Sequence, residues 1–144
     1  MALTGWQICR RHQADLSGRQ AEDGERWNSP GSRVVYLSEH PALAVLEMRA
    51  HLNVPYEKLV HDHVLMRVAL PDSVEDVAAT PEDPRAIGDA WLRGQPSAVL
   101  RVPSIIVQEG RNLLLNTAHP RAAEARVAAC TAFRFDRRLW LGGG

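Results

Sequence analysis

The sequence predicts a single α+β domain. Segments with strand-like alternation (Trp6–Arg11, Arg33–Leu37, Asp62–Leu70 and Ser97–Gln108) are interspersed with two proline-initiated helical segments, one after His40 and one at Pro84. The chain has 144 residues, enough for one hydrophobic core and too few for two comfortable ones, so residues 1–144 are read as one domain.

In Trp6-Gln7-Ile8-Cys9-Arg10-Arg11 the alternation sets Trp6, Ile8 and Arg10 on one face of a first strand. An arginine on a core-facing side needs an anion, either a structural carboxylate or a ligand. Residues 12–32 are polar and carry Gly18, Gly24, Pro30 and Gly31, as expected of a loop. Arg33–Leu37 is a short β-type run, after which Ser38 is placed to cap a helix with Pro41 in its first turn. That helix is expected to end near Asn53–Pro55. Apolar residues occupy most of its circumference, so it should be packed on more than one side.

Glu47 is the one carboxylate on that helix. Buried bare, it would cost several kcal/mol, so it requires a cation, hydrogen bonds or a cleft. Pairing with Arg49 or His51 at a helix edge is the alternative to a functional role.

Asp62–Leu70 reads as a long strand stopped by Pro71, and the acidic, proline-bearing stretch 71–84 as a solvated connection or one loose helical turn. Pro84–Arg93 is expected to be a helix ended by Gly94 and Pro96. Pro103 interrupts the strand-like run Ser97–Gln108 and marks a bulge or an edge, because it has no N–H to give a ladder. Ser104 follows that break, its hydroxyl either aimed into a cleft or satisfying the freed backbone. Glu109–Asn112 is read as a hairpin turn into Leu113–Asn116, His119-Pro120 as the opening of a helix over 121–129, and Thr131–Phe135 as the last strand.

Composition excludes several classes of function. With 17 basic and 17 acidic residues and no aromatic stripe interleaved with basic ones, direct nucleic-acid binding is not expected. Lys58 is the only lysine, and guanidinium groups are the cations suited to bidentate contact with phosphate or carboxylate. Apolar runs fall far short of a membrane span, and the N-terminus lacks a charged start followed by an apolar run, so a cytoplasmic protein is expected. Two distant cysteines suggest neither a disulfide framework nor a zinc site. His61 and His63 share a strand face without an evident third ligand, so no metal is expected. GxGxxG, P-loop, HExxH and GxSxG motifs are all missing.

Arg10 in the first strand, Gly24-x-Arg26-Trp27-Asn28, Tyr36, Ala44-Val45-Leu46-Glu47, Val102-Pro103-Ser104 and Asn116-x-x-His119-Pro120 together resemble the RES-domain family, in order and over nearly the whole chain. The departures are Glu25 where a small residue is expected and Thr117 where proline is expected.

The resemblance implies an ADP-ribosyltransferase-like split β-sheet core with flanking helices and a cleft for NAD. It implies a bacteriostatic toxin of a toxin–antitoxin pair that breaks the nicotinamide–ribose bond of NAD+. NAD+ is then substrate rather than cofactor, with inorganic phosphate as acceptor. The alternatives are transfer of ADP-ribose to a cellular protein, or a catalytically silent antitoxin-binding domain. The implied partner is an Xre-type helix-turn-helix antitoxin that blocks the cleft, with a homodimer or higher toxin–antitoxin assembly. Glu47, Arg26, Tyr36 and Ser104 are the implied catalytic group, and Arg10, Arg26, Trp27, Asn28, Tyr36 and Asn116 the implied NAD contacts. Residue chemistry agrees: nicotinamide leaves as a neutral molecule, so one carboxylate and no general acid suffices for an oxocarbenium-like transition state.

Overall fold

The computed structural model describes residues 3–140, which form seven strands and two α-helices. The strands are β1 (Leu3–Arg10), β2 (Val34–Ser38), β3 (His63–Leu70), β4 (Val74–Asp76), β5 (Val99–Pro103), β6 (Arg111–Asn116) and β7 (Arg126–Phe133). The helices are α1 (Pro41–His51) and α2 (Pro84–Gly94). The sheet order is β4-β5-β6-β2-β1-β3-β7, with every pairing antiparallel except β4 with β5. Among the described residues no helix is long and apolar enough to cross a membrane.

Between β1 and β2 the ladder nearly fails. β1 pairs with β3 along its whole length, from Leu3↔Leu70 to Arg10↔His63, and β2 pairs with β6 from Val34↔Asn116 to Ser38↔Asn112. β1 meets β2 only at Trp6↔Ser38. Past that point the strands part, and the sheet is split into two ladders joined at one residue pair.

Apolar groups cover both faces. Val35, Leu37, Met66, Val68, Leu113 and Leu115 make one buried layer, on which Leu3, Leu16, Val74 and Ala122 pack. On the opposite face Val34, Leu100, Val102 and Leu114 pack with Trp27 and Trp91, while Ile8 and Ala44 pack with Leu59 and Phe135.

α1 begins two residues later than a Ser38 cap implies. The His40 Nδ1, not Ser38, caps it by accepting from the Ala42 N–H at 3.0 Å, and Ser38 closes β2 instead. The helix ends at His51, short of the expected Asn53–Pro55, and only Leu43 and Ala44 are buried; Leu46 is 40% exposed, so α1 lies on the sheet rather than inside a layer. α2 matches its expected span, with the Asp83 carboxylate accepting from the Ala86 N–H. Pro103 ends an inner strand, but β4 covers only Val99–Arg101, so the proline stands where β5 has lost its outer partner.

Three expectations are corrected. The acidic connection contains β4, whose single apolar residue gave no alternating pattern; it is held by parallel pairing to β5. The turn joining β5 to β6 spans 104–110, because β6 already starts at Arg111. The expected helix over 121–129 is a 3-10 turn, Pro120–Glu124, followed by β7. The alanines there favour a helix in isolation, but pairing with β3 from His63↔Phe133 to Ala69↔Arg126 overrides that weak local preference.

The polar segment before β2 is docked on α2 by close backbone approach. A Cβ on Gly88 would lie 1.7 Å from the Trp27 carbonyl oxygen. Asp89 accepts from the Ser29 N–H at 2.9 Å and from its hydroxyl at 2.5 Å, and the Arg85 guanidinium donates to the Glu25 carbonyl. Gly88→Ala is therefore expected to destabilise the fold by about 2–3 kcal/mol through overpacking against backbone. Gly94→Ala, whose nearest foreign atom would be 3.7 Å away, should be close to neutral; urea unfolding midpoints of the two variants check the contrast.

Candidate active site

A cleft of about 210 Å³ opens where β1 and β2 part. Its walls include Trp6, Gln7 and Ile8 from β1, Val34–Ser38 from β2, and Ala44, Glu47, Met48 and His51 from α1. The split thus supplies the space and α1 brings the carboxylate to it. Glu47, Asp15 and Glu25 put three carboxylates on the lining, and no arginine or lysine is among the lining residues.

Neutral donors hold Glu47. Its Oε2 accepts from the Ser104 hydroxyl at 2.9 Å and from the Asn112 Nδ2 at 2.7 Å. Ser104 is fixed in turn, since its oxygen accepts from the N–H groups of Ile106 and Val107 in the turn after β5. The Asn112 Oδ1 accepts from the Ser38 hydroxyl at 2.9 Å, which orients the amide so that its nitrogen faces the carboxylate. Both bonds to Glu47 land on Oε2, and Oε1 has no protein partner among the described residues. The alternative of a helix-edge ion pair is not formed: His51, one turn along α1, places its Nδ1 2.7 Å from the Glu47 carbonyl, and the Arg49 guanidinium donates to the Leu139 and Leu52 carbonyls.

Tyr36 is among the residues lining the cleft, and its hydroxyl is occupied by protein partners. The hydroxyl donates to the Asn28 Oδ1 at 2.6 Å and accepts from the Trp27 N–H at 3.1 Å. Burial pushes the phenol well above its ordinary value, so it remains a protonated donor throughout the physiological range. Asn28 is fully buried, and its Nδ2 donates to the Ala21 and Ser29 carbonyls.

Sequence-derived candidates therefore fall into three groups. Glu47 and Tyr36 line the cleft, and Ser104 reaches it through its bond to Glu47. Trp27 and Asn28 are buried behind Tyr36 as its support, and Arg26 beside them is exposed and off the lining. Arg10 and Asn116 stand apart. Arg10 meets its anion in Asp62, at 3.3 Å, and Asn116 is buried at the far end of β6, donating to the Leu92 carbonyl and accepting from the Ala118 N–H. His119 accepts from the Arg121 N–H as the cap of the following 3-10 turn.

Ser38 and Asn112 escaped the sequence reading. The sequence places Ser38 at a helix cap and Asn112 in a turn, and only the β2–β6 register, Ser38↔Asn112, makes them neighbours.

Tyr36→Phe should leave both the buried Asn28 oxygen and the Trp27 N–H without a partner. A loss of about 1–3 kcal/mol in unfolding free energy is expected, read by denaturant titration.

The RES domain profile matches residues 4–138. The chain is 35% identical over 159 aligned residues to a Sphingobium protein named "Prs ADP-ribosylating toxin", covering 96% of this chain and 98% of that protein. It is 34% identical to a Pseudomonas putida protein named "Toxin Res", covering 88% and 94% respectively. Among solved structures, the M. tuberculosis MbcT–MbcA toxin–antitoxin complex contains a chain that superimposes with a TM-score of 0.74 at 17% identity, over 92% of this chain and 85% of that one. The profile match across nearly all described residues, together with 34–35% identity to these relatives over most of both chains, makes this chain a member of the RES-domain family.

Proposed function

We propose that the chain is the toxin of a toxin–antitoxin pair and that it breaks the nicotinamide–ribose bond of NAD+. The observation that carries this reading is Glu47 at the split, held on one oxygen by Ser104 and Asn112 and open on the other. The bond between ribose C1′ and the ring nitrogen breaks heterolytically. Its electron pair leaves with nicotinamide, which departs neutral, and positive charge develops on the ribose. A carboxylate fixed by neutral donors keeps its full charge for that cation, where a partner arginine would have cancelled it.

The lining supports the same orientation of substrate. Three carboxylates and no lysine or arginine suit the cationic nicotinamide–ribose end and disfavour the pyrophosphate. A volume of about 210 Å³ also falls below the roughly 300–1,000 Å³ of sites that enclose a drug-sized ligand, so the adenosine half lies outside. Arg26, exposed beyond the lining, is the cation for the phosphates there. Inorganic phosphate is the acceptor; it approaches C1′ from the solvent-open side of the cleft rather than across the carboxylate lining, to give a phosphorylated ADP-ribose. An antitoxin of the Xre helix-turn-helix type would restrain the enzyme by covering the cleft.

One observation favours a second reading, ADP-ribose transfer to a protein: the Sphingobium relative is named an ADP-ribosylating toxin. Nicotinamide release from NAD+ with and without phosphate separates the two. Phosphate-dependent release is expected, whereas release only with a labelled acceptor protein selects transfer, and no release under either condition overturns the reading. Glu47→Ala is expected to lower turnover by about a hundredfold or more. Asn112→Leu, which keeps the carboxylate but loosens it, is expected to cost about tenfold, with unfolding curves checking that both variants remain folded.

A further inference from the structure

His51 ends α1 one turn after Glu47, and both residues line the cleft. Its Nδ1 lies 2.7 Å from the Glu47 carbonyl oxygen. A carbonyl only accepts, so Nδ1 carries the proton in this contact and the main chain sets the tautomer. Nε2 then keeps its lone pair whenever the ring is neutral. It has no protein partner among the described residues, and His51 is exposed, so the ring stands where the cleft meets solvent.

No other titratable group on the lining combines a free lone pair with a proton affinity suited to neutral pH. Asp15 and Glu25 are carboxylates, which bind a proton too weakly there. Tyr36 is held protonated, and Glu47 faces the positive charge that develops on the ribose. Imidazole changes charge near neutrality, as a general base working at that pH requires. Breaking the nicotinamide–ribose bond needs no base, but completing the reaction does, because the acceptor arrives carrying an O–H.

We infer that His51 is the general base for the acceptor, its Nε2 taking the proton of an O–H group as that oxygen attacks C1′. This rests on the NAD+ reading above. The acceptor's O–H bond breaks while its oxygen bonds to C1′, and the electron pair of the C1′–N bond leaves with nicotinamide. The proton stays on Nε2 until solvent removes it after product release. Monohydrogen phosphate and water share the required O–H.

The test follows nicotinamide release from NAD+ by the full chain, His51→Asn and His51→Ala, with inorganic phosphate and without it. Asparagine keeps an N–H for the Glu47 carbonyl but has no basic nitrogen, so it separates the base from the contact at the helix end. In both variants kcat is expected to fall about a hundredfold with KM for NAD+ unchanged. Added imidazole is expected to restore His51→Ala in proportion to the free base present, which a purely structural role would not allow. The arm in which the loss appears identifies the acceptor served, phosphate or water.

His51→Asn turning over as fast as the wild-type chain, or His51→Ala unmoved by imidazole, would overturn the inference and leave His51 as a contact at the end of α1. Absence of nicotinamide release by the wild-type chain in both arms would instead remove the NAD+ reading, and this assignment with it.

Discussion

The structure depends on a sheet that holds together at a single residue pair between two strong ladders. β1 is committed to β3 along its length and β2 to β6, leaving Trp6↔Ser38 as their only meeting. Backbone groups left unpaired by the split need other partners. One is found directly: the Tyr36 carbonyl takes the Gln7 side chain in place of a strand neighbour. The gap that results is bounded by rigid ladders on both sides. That is why a cleft can lie in the middle of the sheet without the fold collapsing into it.

Above the gap, α1 carries a carboxylate into partly buried surroundings with no arginine on the cleft lining. Two effects compete there. Removal from water penalises the charge by several kcal/mol, and each hydrogen bond to a charged acceptor returns about 1.5–3 kcal/mol. Ser104 and Asn112 together offset much of the penalty, and the cleft's opening to solvent lets water do the rest. The strands are what make this work, because Ser104 follows directly on β5 and Asn112 lies in β6. The carboxylate is held from the sheet and presented from the helix.

Much of this organisation was legible in the chain. Proline at the first turn marks α1 and α2, and β1, β2, β3 and β5 announce themselves by alternation and β-branched content. Glu47 was conspicuous as a lone acid among apolar neighbours, and Ser104 by its place after Pro103. What was hidden is what register decides. Nothing local in Ser38 or Asn112 says that they face one another across a ladder. The alanine-rich β7 has a helical composition and becomes a strand only because β3 offers it an edge, and β4 is too short to have a period. Trp27 and Asn28 are the reverse case: their motif is visible in the sequence, and what only the fold shows is that the Trp27 N–H and the Asn28 amide oxygen bond the Tyr36 hydroxyl. Arg10 was read as needing an anion and has one in Asp62.

The contact between Gly88 and the Trp27 carbonyl has a mechanical meaning. With no space between helix and loop, and with Asp89 and Arg85 gripping the backbone on either side of Trp27, residues 25–29 cannot slide along α2. The loop and the helix behave as one lever. Arg26, though its side chain is exposed, is mounted on a stiff arm whose far end is the parallel unit formed by β4, α2 and β5. On the NAD+ reading, a guanidinium that meets the phosphates outside the cleft gains from a fixed backbone, because the arm then loses no freedom on contact and only the side chain and the substrate do.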